Sequence, residues 1–135
     1  MTTAVLDACA MIAYLRGEPG ADKVEALLLD KNYICLAHAV NLCEVYYDFM
    51  RAADENSAQT AITDLKSMGL IAKEDMDSAF WQEAGKYKAT IKKVSLADCF
   101  AMALTNRMQA DLYTSDHHEF DPIAASGICS VKFIR

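Results

Sequence analysis

Two spacings of apolar residues take turns along this chain. Short runs of strand character stand at Thr3–Leu6, Tyr33–Leu36, Leu70–Ala72 and Leu112–Thr114, with Val131–Ile134 as a candidate fifth. Between them, apolar positions recur three and four apart, the spacing that gives a helix one buried stripe. Ala8–Leu15 is such a segment and turns over at Arg16-Gly17-Glu18-Pro19-Gly20. Ala21–Leu29 sets Val24, Leu27 and Leu28 against Asp22, Glu25 and Asp30, and Val40 to Met50 follows the second strand. A helix capped by Asn56 or Ser57 carries Ala58, Ala61, Ile62 and Leu65 and stops at Gly69. Met76, Ala79, Phe80, Ala84 and Tyr87 carry another to about Ala89, and Ser95 caps Leu96–Met108. Strands alternating with helices predict an α/β fold, a parallel sheet of four to five strands covered on both faces.

Four carboxylates break the apolar segments. Asp7 is the only charged side chain between Met1 and Arg16, and Asp98 the only one between Val94 and Thr105. Glu44 interrupts Val40-Asn41-Leu42-Cys43-Glu44-Val45-Tyr46-Tyr47, and Asp116 follows the strand-like Leu112-Tyr113-Thr114-Ser115. An ionised carboxylate in apolar surroundings is costly unless paired or bound to a metal. The Asp98 segment is apolar nearly all round, so its helix is expected to be buried. A helix dipole would favour Asp98 by only ~0.3–1 kcal/mol, too little to offset that burial. Four acids of one sign therefore point to a cation site. Asp7 and Asp116 lie just past two strand ends, where the functional crevice of a parallel sheet opens.

Composition narrows the setting. A chain of 135 residues suits one domain, 1–135, with a substantial core. No apolar run approaches the ~20 residues of a membrane span, and the start, Met1-Thr2-Thr3-Ala4, lacks a basic leader, so a cytoplasmic protein is expected. The five cysteines, Cys9, Cys35, Cys43, Cys99 and Cys129, are odd in number and unpaired in spacing, which predicts reduced core thiols and excludes a zinc or disulfide framework. A formal charge of −6 argues against non-specific attraction to nucleic acid, but Lys86, Lys88, Lys92 and Lys93 form a basic cluster just before Asp98.

In order, these segments resemble the PIN-domain ribonucleases, and among them the VapC-type toxins of bacterial toxin–antitoxin pairs. Val5-Leu6-Asp7, Asn41-Leu42-Cys43-Glu44-Val45, Ser95-Leu96-Ala97-Asp98-Cys99-Phe100-Ala101 and Leu112-Tyr113-Thr114-Ser115-Asp116-His117-His118-Glu119-Phe120 are similar to the family's four motifs. The resemblance runs from Val5 to about Ile134. It implies a three-layer α/β/α fold and Mg²⁺- or Mn²⁺-dependent cleavage of RNA. It also implies a cognate antitoxin that blocks the site, and a homodimer. Asp7, Glu44, Asp98 and Asp116 take the acidic positions as metal-holding and catalytic residues, with Thr114 and Asn41 in support. Cys9 stands where the family often has serine, a poorer hydrogen-bond partner.

Each residue also has a plainer reading. Asp7 and Asp98 could cap helices through backbone amides, and Glu44 could pair with Arg51. Asp116 could be a solvated loop residue, and Glu119 and Asp121 ordinary turn residues before Pro122. His117 and His118 are expected to be bystanders more than proton shuttles, while Asn41 suits a helix-start hydrogen bond as well as a site role. Tyr46 and Tyr47 fit core packing better than base stacking. Receiver and haloacid-dehalogenase chemistry are excluded, since Asp7-Ala8-Cys9 offers neither the acidic pair nor Asp-x-Asp. No Gly-rich phosphate loop is present. The remaining alternative is a catalytically silent PIN-fold protein-binding module, whose signature would be a missing acid. None is missing.

Overall fold

The computed structural model describes residues 1–135. The chain runs β1 (Thr2–Leu6), α1 (Ala8–Arg16), α2 (Ala21–Leu29), β2 (Tyr33–His38), α3 (Ala39–Ala52) and α4 (Glu55–Ser67). It continues through β3 (Ile71–Lys73), α5 (Ser78–Thr90), α6 (Leu96–Arg107), β4 (Asp111–Thr114), α7 (His117–Ser126) and β5 (Val131–Phe133). All five strands pair in parallel in the order β3-β2-β1-β4-β5. The chain thus starts at the centre, builds outward to one edge, and returns to build the other.

Alternation along the central strand separates two cores. Ala4 and Leu6 of β1 join Met11, Val24, Leu42, Val45 and Leu65 from α1 to α4. Val5, between them, faces the other way and joins Phe80, Met102, Leu104, Phe120 and Ile123 from α5 to α7. Helices on both faces of one sheet make the three-layer α/β/α fold that the pattern predicts. α6 is the most enclosed helix, with Asp98, Cys99 and every residue from Ala101 to Thr105 buried. No helix is long and apolar enough to cross a membrane.

Several boundaries move, each for a local reason. β2 extends two residues past Leu36 to His38, whose Nδ1 accepts the Val40 amide at 3.1 Å and so starts α3. The His38 Nε2–H then donates to the Asp75 carbonyl at 2.8 Å, and the ring stacks on Phe80 and Phe100. Asp54 caps α4 by accepting the Ser57 amide at 2.7 Å, so neither Asn56 nor Ser57 is the cap. The largest correction is α7. His117–Ser126 is a helix with Pro122 inside it, where the sequence suggests a loop with a turn before the proline. Asp116 caps it, Glu119 sits in its first turn, and Phe120 and Ile123 bury one face, which holds the helix despite the amide that Pro122 lacks.

Candidate active site

The strand order makes a crevice at one place. β1 and β4 are neighbours, yet the chain leaves β1 into α1 on one face and β4 into α7 on the other. Ligand crevices in open parallel sheets form at such a reversal, beyond the carboxyl ends of the strands. Asp7 ends β1 and caps α1, its Oδ1 accepting the Ala10 amide at 2.8 Å. Asp116 follows β4 and caps α7, accepting the Glu119 amide at 3.1 Å. Asp7 thus does its plainer task, helix capping, while Asp116, read as a solvated loop residue, is a helix cap as well, and both stand at the mouth of the crevice. The Thr114 hydroxyl accepts the Asp116 amide at 3.0 Å and fixes that turn.

α3 and α6 supply the remaining acids. Ser95 caps α6 by accepting the Asp98 amide at 3.1 Å, which sets Asp98 in the first turn. Asn41 donates through Nδ2 to the Ala97 carbonyl at 2.9 Å and so ties α3 to that same turn. It lies inside α3, with no helix-start hydrogen bond. Glu44, three residues on, shares the Asn41 side of α3. Glu44 does not pair with Arg51, whose guanidinium lies over the Tyr47 ring at 5.0 Å.

Carboxylate oxygens of Asp98, Asp116 and Glu119 lie within 4.8 Å of one another. Two oxygens each 2.1–2.4 Å from one ion are at most about 4.2–4.8 Å apart, so this spacing admits a shared Mg²⁺ or Mn²⁺. Asp7 and Glu44 stand around the trio and not in it. Glu119 is thus a residue that sequence reading set aside and the fold brings in. The one local signal for it, Asp116 followed three residues later by Glu119 at the capping-box spacing of a helix start, is masked by Pro122.

The electrostatics are those of like charges without a counterion. The protein's ion pairs involve none of Asp7, Glu44, Asp98, Asp116 or Glu119. Asp7 is 1% exposed, and its Oδ2 has no hydrogen-bond partner. Burial is the main cause that pushes its carboxyl up to about 7; Thr114 and the Ala10 amide oppose the shift, and Asp116 and Glu44 add to it. Asp98 is also held well above the usual carboxylate range, by burial first, then by the close approach of the Glu119 carboxylate and the charge of Asp7. Glu44 moves the same way through burial and the charges of Glu119 and Asp48. An orphaned buried oxygen and an all-oxygen donor set without a basic partner fit a hard divalent cation.

Other candidates resolve into structure. His117 stacks on Phe133 at 3.9 Å and bonds both Asp121 and the Arg135 carbonyl at 2.8 Å, pinning α7 to the C-terminus. Cys35, Cys99 and Cys129 are buried as expected, but Cys9 and Cys43 are exposed. Cys9 follows Asp7 at the helix start, and partial desolvation together with the charges of Asp7, Asp98, Asp116 and Glu44 pushes its thiol up to about 12. Tyr47 is 44% exposed, which corrects the expectation of core packing there.

A family model for the PIN domain matches residues 4–125. The chain belongs to the PIN-domain family. Solved structures agree on the fold. VapBC2 from Rickettsia felis, bound to a DNA fragment from its promoter, superposes with a TM-score of 0.76 at 15% identity over 98% of each chain. VapBC from Salmonella typhimurium, bound to DNA, gives 0.74 at 12% over all of both chains. VapC20 from Mycobacterium tuberculosis, a toxin that cleaves the sarcin–ricin loop, gives 0.70 at 14%, covering 88% of this chain and 94% of that one. No curated protein matches the chain in sequence. At such identities a PIN domain shares backbone with its neighbours, and its chemistry has to be argued from its own side chains.

Proposed function

We propose that this PIN domain is a Mg²⁺- or Mn²⁺-dependent endoribonuclease and the toxin of a toxin–antitoxin pair. The observation that carries the reading is the convergence of Asp98, Asp116 and Glu119, three carboxylates within 4.8 Å and no cation of the protein among them. A divalent ion bound there would polarise a phosphoryl oxygen and make a hydroxide nucleophile available near neutral pH.

The chain's own groups divide the remaining work. Asp98, Asp116 and Glu119 hold the ion, with the free Oδ2 of Asp7 as a further donor. Thr114 and Ser95 keep Asp116 and Asp98 in place through the amides they accept. Asn41 anchors α3 against α6 and so sets the distance from Glu44 to the trio. Glu44 is half-buried and its carboxyl is raised, the direction a general base near neutral pH requires. In this reading Glu44 orients or deprotonates the attacking water.

The partner expected is an antitoxin, since the superposed VapBC structures, and another described as a toxin–antitoxin complex from Klebsiella pneumoniae, are of that class. A groove of about 440 Å³ between α1, α3 and α4, lined by Leu15, Phe49, Ala52 and Ala61 together with Arg16 and Asp64, offers a mixed apolar and polar seat for it. The deciding experiment is expression of the chain alone with mapping of new RNA 5′ ends, beside an Asp98→Asn control. New ends in the first strain and none in the second support the nuclease. The same profile in both sinks it.

A further inference from the structure

The chain carries 19 acidic and 13 basic residues, yet the stretch from Ala84 to Ala97 holds Lys86, Lys88, Lys92 and Lys93 and no acid. All four lysines are exposed. Of the nine basic residues elsewhere, four pair with carboxylates, Arg16 with Asp48, Lys73 with Asp75, Arg107 with Asp75 and Asp77, and Arg135 with Glu18, and the other five, Lys23, Lys31, Arg51, Lys66 and Lys132, are scattered along the chain. None of the four lysines has such a partner. Lys88 has another use, since its Nζ donates to the Val94 carbonyl at 2.8 Å and ties the end of α5 to the residue before the α6 cap. That bond also fixes where the others stand. Lys92 and Lys93 lie past the end of α5 and lead directly into Ser95 and Asp98. Five residues of chain from Lys93 to Asp98 span at most roughly 17 Å. Leu96, between them and 53% exposed, shows that this surface is uncovered.

We propose that Lys86, Lys92 and Lys93 form the entry strip along which the phosphate backbone of single-stranded RNA reaches the carboxylates. This rests on the nuclease reading above. A site built of unpaired acids repels a polyanion, and the net charge of −6 adds to that repulsion. An unpaired basic strip fixed to the same helix start supplies local attraction where the substrate must arrive. RNA fits better than an acidic protein segment because every nucleotide carries a charge and the neighbouring carboxylates are suited to phosphodiesters.

The test is fluorescence anisotropy of a labelled single-stranded oligoribonucleotide between 50 and 250 mM KCl, in the cleavage-blocked Asp98→Asn protein. Adding Lys86→Ala, Lys92→Ala and Lys93→Ala together is expected to make the slope of log affinity against log salt less negative by about 2, at ~0.7 for each phosphate no longer neutralised. Affinity near 0.1 M salt falls on the order of 10–100-fold. Lysine-to-arginine changes at the same three positions keep the slope. With Asp98 restored, the triple alanine variant retains the Mn²⁺-induced rise in melting temperature, which shows that fold and acids are intact. An unchanged slope overturns the strip. So does an unchanged slope accompanied by release of the antitoxin, which assigns the lysines to the protein partner. The two readings fail separately: the strip can fall while Mn²⁺-dependent cleavage stands. Cleavage identical in wild type and Asp98→Asn instead removes the nuclease, and the strip with it.

Discussion

The two ends of α6 treat carboxylates in opposite ways. At its C-terminal end, Arg107 grips Asp77 at 2.6 and 2.9 Å, reaches Asp75 at 3.2 Å, and lays its guanidinium over Phe80 at 5.0 Å. There the carboxyl of Asp77 is drawn down to about 2, chiefly by that guanidinium. At its N-terminal end Asp98 meets Asp116 and Glu119 with no base, and is pushed up. The first end shows that this chain neutralises acids where they serve the fold alone. The second leaves them unpaired in a crevice set by strand order, at a cost the protein alone does not offset. Like charges held together without a base are the arrangement that the proposed cation would neutralise.

The sharpest way to break the contrast is Asp98→Asn. RNA cleavage by the variant should fall on the order of 100-fold or more, since even outer-shell partners of a metal are worth 10–100-fold. Without metal it should melt no lower than the wild type, because one member of a repelling cluster is gone. Mn²⁺ at about 100 times its Kd should add roughly 2.7 kcal/mol to the wild type, a rise of about 5–10 °C in Tm, and nothing comparable to the variant. Differential scanning fluorimetry reads both. A metal-free variant markedly less stable than wild type would make Asp98 an ordinary structural acid.

Glu119→Gln sharpens it next. Membership of Glu119 in the trio predicts a loss of Mn²⁺ affinity of about 10–100-fold by calorimetry, with Tm of the metal-free protein unchanged or higher. Asp121→Asn, two residues on, should leave affinity as it is, because Asp121 is engaged by His117. Equal effects at the two positions would dissolve the distinction the geometry draws between them.

Why Asp98 was legible and Glu119 was not is a matter of range. Periodicity is local, so the switch between strand and helix spacing revealed the layers and the parallel sheet. Burial of α6 followed from its apolar circumference. An isolated acid in such a segment is anomalous on sight. Glu119 lies beside His118, Asp121 and Pro122, where polar residues are ordinary, and Pro122 concealed the helix whose first turn aims it inward. Asn41 could be placed on a helix, but not its hydrogen bond to Ala97, 56 residues away. The clustering of the buried cap His38 with Phe80 and Phe100, 42 and 62 residues on, is likewise tertiary. Contacts fixed by tertiary folding leave no periodic trace.

A third, smaller effect is a pH dependence of opposite sign to that of salt-bridged acids. Folded Asp7 keeps its proton up to about pH 7, whereas the same carboxyl in the unfolded chain loses it near pH 4. The folded state therefore binds more protons in that window, and stability falls as pH rises through it. The contribution is on the order of a few kcal/mol at most, and Asp98 and Glu44 act in the same direction. Metal-free protein should melt higher at pH 5 than at pH 8, with Asp7→Asn flattening the profile and saturating Mn²⁺ recovering stability at pH 8. A metal-free Tm that climbs from pH 5 to pH 8 would mean that the acids are neutralised within the fold.

The smallest effect belongs to the other end of α6 and serves as its control. Arg107→Ala removes the bonds to Asp75 and Asp77 and uncovers one face of the buried Phe80, but Arg107, Asp75 and Asp77 are themselves partly solvent-facing, where ion pairs contribute little. Tm should fall slightly, and more at low salt than at high salt, while the proposed Mn²⁺ binding and cleavage should be unaffected. The Asp75 carbonyl still receives His38, so the loop between β3 and α5 retains an anchor when the guanidinium is gone. Salt titration of the melting curves separates the two ends of the helix. Added salt should weaken the arginine clasp and, by screening repulsion among the unpaired carboxylates, strengthen the metal-free site. If Arg107→Ala instead reduced metal binding as Glu119→Gln does, the two ends would be one coupled device, and the contrast between them would no longer identify the cation site.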